Sequence, residues 1–160
     1  MIEMRVAGLA LDPGTQMPIV ILRDDSGEHT LPIWIGLVEA SAIAMFLERI
    51  PLSRPMTHDL IRNLLGELGA SVTRVEITEL RENTFYALIH VQHQGVDRLI
   101  DARPSDAVAL ALRANAPILV SEEVLAHARR VEVIDERGEG ERAALGEGAR
   151  PMATPLTDED

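Results

Sequence analysis

Two short segments place the same chemical groups in the same order: Arg54-Pro55-Met56-Thr57-His58-Asp59 and Arg103-Pro104-Ser105-Asp106. Each runs from an arginine and a proline through a hydroxyl residue to an acid, then into an apolar run at helical spacing. Thr57 and Ser105 are residue types that cap helix N-termini, and Asp59 and Asp106 fall where the first turn favours negative charge. An arginine beside free backbone N–H groups at a helix mouth is equipped to hold an anion such as a phosphate. The alternative is structural: two well-capped helices whose entries are set by proline. His58 and Asp101 add further ionisable groups, so chemistry in this chain is expected at these two mouths.

Other chemistries are disfavoured. The absence of cysteine excludes disulfides, thiolate catalysis and Cys-based zinc or iron–sulfur sites. There is no Gly-rich phosphate loop: Gly66-Glu67-Leu68-Gly69 lacks the required lysine and follows a helix rather than opening one. There is no Gly-x-Ser-x-Gly elbow. His90 and His93, three apart on an extended segment, are poorly placed to share a metal, and His29 and His127 stand alone. Aromatic side chains are limited to Trp34, Phe46, Phe85 and Tyr86. They form no stacking platform for single strands, and Trp34, inside an apolar strand, is expected in the core.

The formal net charge is -11, and every one of the 15 basic residues is an arginine. Arginine suits bidentate phosphate contacts, but an acidic chain lacks the basic face that draws proteins broadly onto nucleic acid. Phosphate binding is therefore expected to be local. The N-terminus shows no basic-then-apolar secretory leader, and no apolar stretch reaches the roughly 18 residues of a membrane span. A cytoplasmic location without membrane attachment is the expectation.

The elements that must position these groups are legible. Glu3–Ala10, Pro18–Leu22 and Thr30–Ile35 read as strands of an antiparallel meander, turning at Asp12-Pro13-Gly14 and Asp24-Asp25-Ser26-Gly27. Gly36 opens a helix to about Arg49 that is apolar on nearly every side, so it is expected to be buried centrally or covered by another subunit. A second helix spans about His58–Leu68, with Gly69 as its stop signal. Val72–Leu80 and Phe85–Gln92 form a central hairpin around Arg81-Glu82-Asn83, followed by a short strand at Arg98–Ala102. Ser105–Ala114 is a helix, Ile118–Val120 a strand and Glu122–His127 a last helix. The result is an α+β fold with about four helices on a largely antiparallel sheet. Residues 1–134 form one domain. Residues 135–160 carry eight acids against three arginines together with glycines and prolines, a composition expected to be disordered.

Several collinear segments carry a resemblance: Leu31-Pro32-Ile33-Trp34-Ile35-Gly36, Glu39-Ala40, Arg54-Pro55 with Thr57-His58-Asp59-Leu60, Phe85-Tyr86-Ala87, and Asp101-Ala102-Arg103-Pro104-Ser105-Asp106-Ala107. With Ala116-Pro117-Ile118 and Glu123-Val124-Leu125, they make the chain similar to the bifunctional nuclease domain family over about Met4–Ala128. The resemblance implies an α+β domain that assembles into homo-oligomers and hydrolyses phosphodiester bonds of DNA and RNA. Such cleavage commonly uses Mg²⁺ or Mn²⁺ held by carboxylates. Glu39, Asp59, Asp101 and Asp106 are the candidate ligands and catalytic acids, and His58 is a candidate general acid or base. Arg54, Thr57, Arg103 and Ser105 are candidate phosphate contacts. The competing function is a non-catalytic, oligomeric binding or regulatory module that recognises an anionic ligand or a protein partner.

Overall fold

A computed structural model describes residues 1–135, with side chains to Ala128. The meander of β1 (Ile2–Leu11), β2 (Pro18–Arg23) and β3 (Thr30–Trp34) leads into two consecutive helices, α1 (Leu37–Leu47) and α2 (Thr57–Glu67). The hairpin of β4 (Ala70–Arg81) and β5 (Thr84–His93) continues into β6 (Val96–Ala102), α3 (Pro104–Ala114), β7 (Ile118–Val120) and α4 (Glu122–Asp135). The sheet order is β3-β2-β1-β7-β4-β5-β6. Every neighbouring pair is antiparallel except β4 with β7. The fold is α+β, as expected.

Local chemistry accounts for the elements. The β4–β5 turn places Glu82 and Asn83 at φ of 51° and 60°, the left-handed pair that matches strand twist in a tight hairpin. Gly69 ends α2 with φ of 69°. Cross-strand pairing aligns Met4 with Ile118, Ile118 with Val75, and Val75 with Ile89, one continuous apolar row across four strands. All four side chains are buried, and α3 packs over this side with Ala107, Val108 and Ala111 fully enclosed.

Several expectations are corrected. Thr57 and Ser105 are not N-caps: the capping positions are Met56 and Arg103, so Thr57 is the first residue of α2 and Ser105 the second of α3. At α2 the capping role passes to Asp59, whose carboxylate accepts the Met56 N–H at 3.0 Å. At α3, Pro104 sits where no backbone N–H is needed. Trp34 is 41% exposed rather than core, because β3 ends there and its indole N–H turns outward to Asp12 at 2.8 Å. Strand β6 begins two residues earlier than expected, and α4 runs past His127 to Asp135. Helix α1 buries only Ala40 and Ile43 and leaves Leu37, Val38, Phe46 and Leu47 exposed, so it is not a central helix. The acidic segment beyond Asp135 lies outside the described residues.

Candidate active site

Helix α3 packs against both α1 and α2, and this three-helix junction gathers much of the chemistry the sequence singled out. Arg103, at the mouth of α3, donates from Nε to Asp106 Oδ2 at 2.8 Å and from Nη1 to Glu39 Oε1 at 2.9 Å. The other oxygen of Asp106 lies 2.9 Å from His58 Nε2. One chain of contacts thus runs Glu39–Arg103–Asp106–His58 and joins the first turns of α1, α3 and α2.

Each member has a distinct environment. His58 is buried and Asp106 half-buried, whereas the Arg103 side chain is 66% exposed. Burial by itself would push the Asp106 carboxyl up, but hydrogen bonds from Arg103 and His58 outweigh it and hold the group below its ordinary value. The same bond to Asp106, reinforced by Glu39, raises the Arg103 guanidinium further. Glu39 folds back over the start of its own helix so closely that a Cβ on Gly36 would collide with its carboxylate. A Cβ at position 36 would therefore push that carboxylate aside from its present position against the helix start.

The remaining predicted residues are elsewhere. Asp59 accepts the Met56 N–H with Oδ2 and Arg113 Nε with Oδ1, the latter at 2.8 Å, so both its oxygens are engaged in structure. Asp101 is exposed on β6 opposite Leu88, and Arg54 is exposed in the loop before α2; neither has an ion pair among the described residues. Thr57 is exposed and Ser105 buried. Among the described residues no three His, Asp or Glu side chains stand close enough to hold a metal ion. The reason is visible in the network: Glu39 and Asp106 are separated by the guanidinium between them, and Asp59 is turned toward Arg113. In this arrangement the four carboxylates do not fit a shared divalent ion.

Sequence reasoning missed two features. The Arg113 side chain is 2% exposed and holds three helices together: Nε to Asp59 on α2, Nη1 to the Ala109 carbonyl on α3 at 2.9 Å, and Nη2 to the Ala42 carbonyl on α1 at 2.8 Å. Its guanidinium also lies over the Phe46 ring at 5.6 Å. The signal was an arginine one turn after Ala109 on a helix otherwise apolar there. The second is His90, whose Nδ1 meets Asp97 at 3.2 Å. Its Nε2 lies 3.1 Å from Glu76 Oε1 but off the line of a hydrogen bond, so that nitrogen is buried without a hydrogen-bonding partner. Glu76 is in turn bonded to Arg74 at 2.8 Å. No sequence spacing announced this cluster, since its members come from three strands.

Comparison with known proteins places this geometry in a family. The model of the bifunctional nuclease domain matches residues 20–132. An uncharacterized protein of Mycobacterium tuberculosis is 43% identical over 145 residues, covering 91% of this chain and 86% of its own length. Bifunctional nuclease 1 of Oryza sativa is 25% identical over 116 residues, covering 71% of this chain and 35% of its own length. Bifunctional nuclease 2 of Arabidopsis thaliana is 24% identical over 150 residues, covering 88% and 45%. The chain therefore spans less than half of either plant relative.

Proposed function

Because the chain belongs to the bifunctional nuclease domain family, we propose that it hydrolyses phosphodiester bonds of DNA and RNA at the Glu39–Arg103–Asp106–His58 junction. One observation carries the placement: a well-exposed arginine is fixed at a helix mouth by the same carboxylate that orients a histidine. In this reading Arg103 faces the non-bridging oxygens of the scissile phosphate, which suits a planar, permanently charged fork. Asp106 beside Nε2 favours the tautomer protonated there and leaves Nδ1 of His58 to accept a proton from the attacking oxygen. That oxygen is water: it bonds to phosphorus as the P–O bond to one sugar oxygen breaks, and the departing sugar oxygen takes a proton from solvent while His58 holds the one lost by water. Glu39 fixes the orientation of Arg103. Arg54, exposed in the loop that leads into α2 and His58, is the candidate for a second phosphate contact. No step is assigned to Mg²⁺ or Mn²⁺, since the donor set is not assembled.

The test is single-turnover cleavage of end-labelled RNA and duplex DNA, with Mg²⁺ or Mn²⁺ and with chelator. Wild type is compared with His58→Asn and Asp106→Asn, and thermal melts are run beside them. Cleavage is expected to fall about a hundredfold or more in variants that still melt cooperatively. Unchanged cleavage in those variants would remove the site from this junction. The chelator arm reports whether a divalent ion enters together with the substrate phosphate.

A second reading has its own observation. Every acid in the junction is already matched by an arginine or histidine, and the chain is strongly acidic as a whole. A non-catalytic module that recognises an anionic ligand or partner through Arg103 would give binding without turnover in the same assay.

A further inference from the structure

Strand β3 ends in an exposed tryptophan that is held in place. Trp34 is 41% exposed, and its indole N–H donates to Asp12 Oδ2 at 2.8 Å. The other oxygen of Asp12 accepts the Gly14 N–H at 2.8 Å and the Thr15 N–H at 3.2 Å. The β1–β2 turn is thus closed through Oδ1, and Oδ2 serves the ring. The indole first, then the two backbone donors, hold the Asp12 carboxyl below its ordinary value, so the anchor is ionised at neutral pH. A ring fixed by its N–H, with much of its surface open to solvent, has little rotamer freedom left to lose on binding.

The backbone places this ring beside the three-helix junction. Ile35 donates its N–H to the Pro18 carbonyl at 3.0 Å, which continues the strand pairing past Trp34, and Gly36 is still extended at φ of -72° and ψ of 160°. Alternation along an extended chain sends the Trp34 side chain and the Cβ direction of Gly36 to the same side, with Ile35 buried on the other. The Glu39 carboxylate occupies the position that a Cβ on Gly36 would take, and its Oε1 accepts from Arg103 Nη1 at 2.9 Å. Residues two apart on a strand are separated by about 7 Å, so the indole and the Glu39–Arg103 pair lie on one side of the chain at roughly that spacing. A single nucleotide bridges such a span between its phosphate and its base.

We infer that Trp34 is a base-stacking subsite, which takes the nucleobase next to the phosphate held by Arg103 and so selects a strand whose base there is unpaired. The inference rests on the phosphate contact at Arg103 in the nuclease reading. Inside a duplex each base is stacked on its neighbours and paired with its partner, and a lone ring can stack only on a base freed from both. Every base has a π-face, so the subsite accepts DNA and RNA alike. Stacking also supplies affinity that does not depend on charge, which suits a chain of net charge -11. Single strands and unpaired ends are therefore preferred over continuous duplex.

Trp34 is the only tryptophan of the chain, so its fluorescence reports the subsite directly. The full chain carrying His58→Asn is titrated with a labelled single strand of about ten nucleotides, with an abasic strand of equal length, and with duplex. Anisotropy reads binding, tryptophan emission reads stacking, and cleavage of the same strands by the wild type is followed in parallel. The base-bearing single strand is expected to quench Trp34 saturably, and the abasic strand to bind about tenfold more weakly without quenching. Trp34→Leu is expected to weaken single-strand binding about tenfold and to leave abasic binding as it was, with Trp34→Phe restoring most of the loss. Single-strand binding without quenching overturns the inference. So does equal quenching by the abasic strand, or a Trp34→Leu protein that binds the single strand as tightly as its parent. If Trp34→Leu does not melt cooperatively, the quench and the Trp34→Phe affinity decide alone. Cleavage without base-dependent quenching removes the subsite and leaves the nuclease reading, whereas base-dependent quenching without cleavage does the reverse. Binding by none of the strands overturns both.

Discussion

Arg103 is one guanidinium shared between two carboxylates, and its geometry rather than its charge is what the junction uses. Arg103→Lys keeps the charge but cannot reach Asp106 and Glu39 with a planar fork. Cleavage is expected to drop by about tenfold or more while the melting temperature moves little, since the side chain is mostly exposed. Gly36→Ala gives a sharper check, because the added Cβ displaces the Glu39 carboxylate. It should reproduce the activity loss of Glu39→Gln, and the double variant should lose no more than either alone. The pH dependence has a defined sign. Asp106 is held below its ordinary value of 3.8 in the folded protein, so its pairing stabilises at pH above that value and is lost as pH falls through the lower, folded one. The melting-temperature gap between wild type and Asp106→Asn should therefore be present at pH 7 and shrink on acidification toward pH 2. At this scale the sequence announced the right residue types: Glu39, His58, Arg103 and Asp106 meet as a group. It could not announce their pairing, because His58 and Asp106 lie 48 residues apart and Arg103 and Glu39 lie 64 apart. Nor could it show that Asp59, which matches Asp106 in sequence pattern, turns to Arg113 instead.

Between elements, Arg113 is the tie that holds the junction's geometry. Removing a guanidinium buried between α1, α2 and α3 leaves Asp59 with only its bond to the Met56 N–H and takes one donor from each of two helix carbonyls. Arg113→Met is expected to cost about 3 kcal/mol, and to lower the melting temperature by roughly 10 °C. Thermal melts of the variant check this, and a change of only a degree or two would show that Asp59 and the Ala42 carbonyl find water without penalty. Element types were legible because hydrophobic period changes clearly between strands such as Val72–Leu80 and helices such as α2. Ends were less so. Thr57 and Ser105 have capping chemistry, yet Asp59 and Pro104 settle the two helix starts one residue earlier. The exposure of α1 was beyond reading from its composition alone, since a helix apolar on all sides fits a central position as well as a covered surface.

For the whole molecule, charge is the constraint that any nucleic-acid function must satisfy. The net charge of -11 repels a polyanion at long range. The segment 135–160 contributes to this, and its composition predicts that deletion beyond Asp135 leaves the melting temperature within a degree or two. A drop of several degrees on that deletion would mean that the segment docks on the fold. Binding to DNA, if it proceeds through the junction, rests on Arg103 and the exposed Arg54, the two cations the sequence placed at the helix mouths. Each neutralised phosphate contributes about 0.9 to the salt slope on duplex DNA, so two contacts predict a slope near two. The measurement is fluorescence anisotropy of labelled duplex with the inactive His58→Asn protein across a salt series, repeated with Arg54→Ala. Arg54→Ala should reduce the slope by about one. A slope of six or more would require a basic surface that neither the composition nor the described face offers, and would move the nucleic-acid contact away from the Arg103 junction.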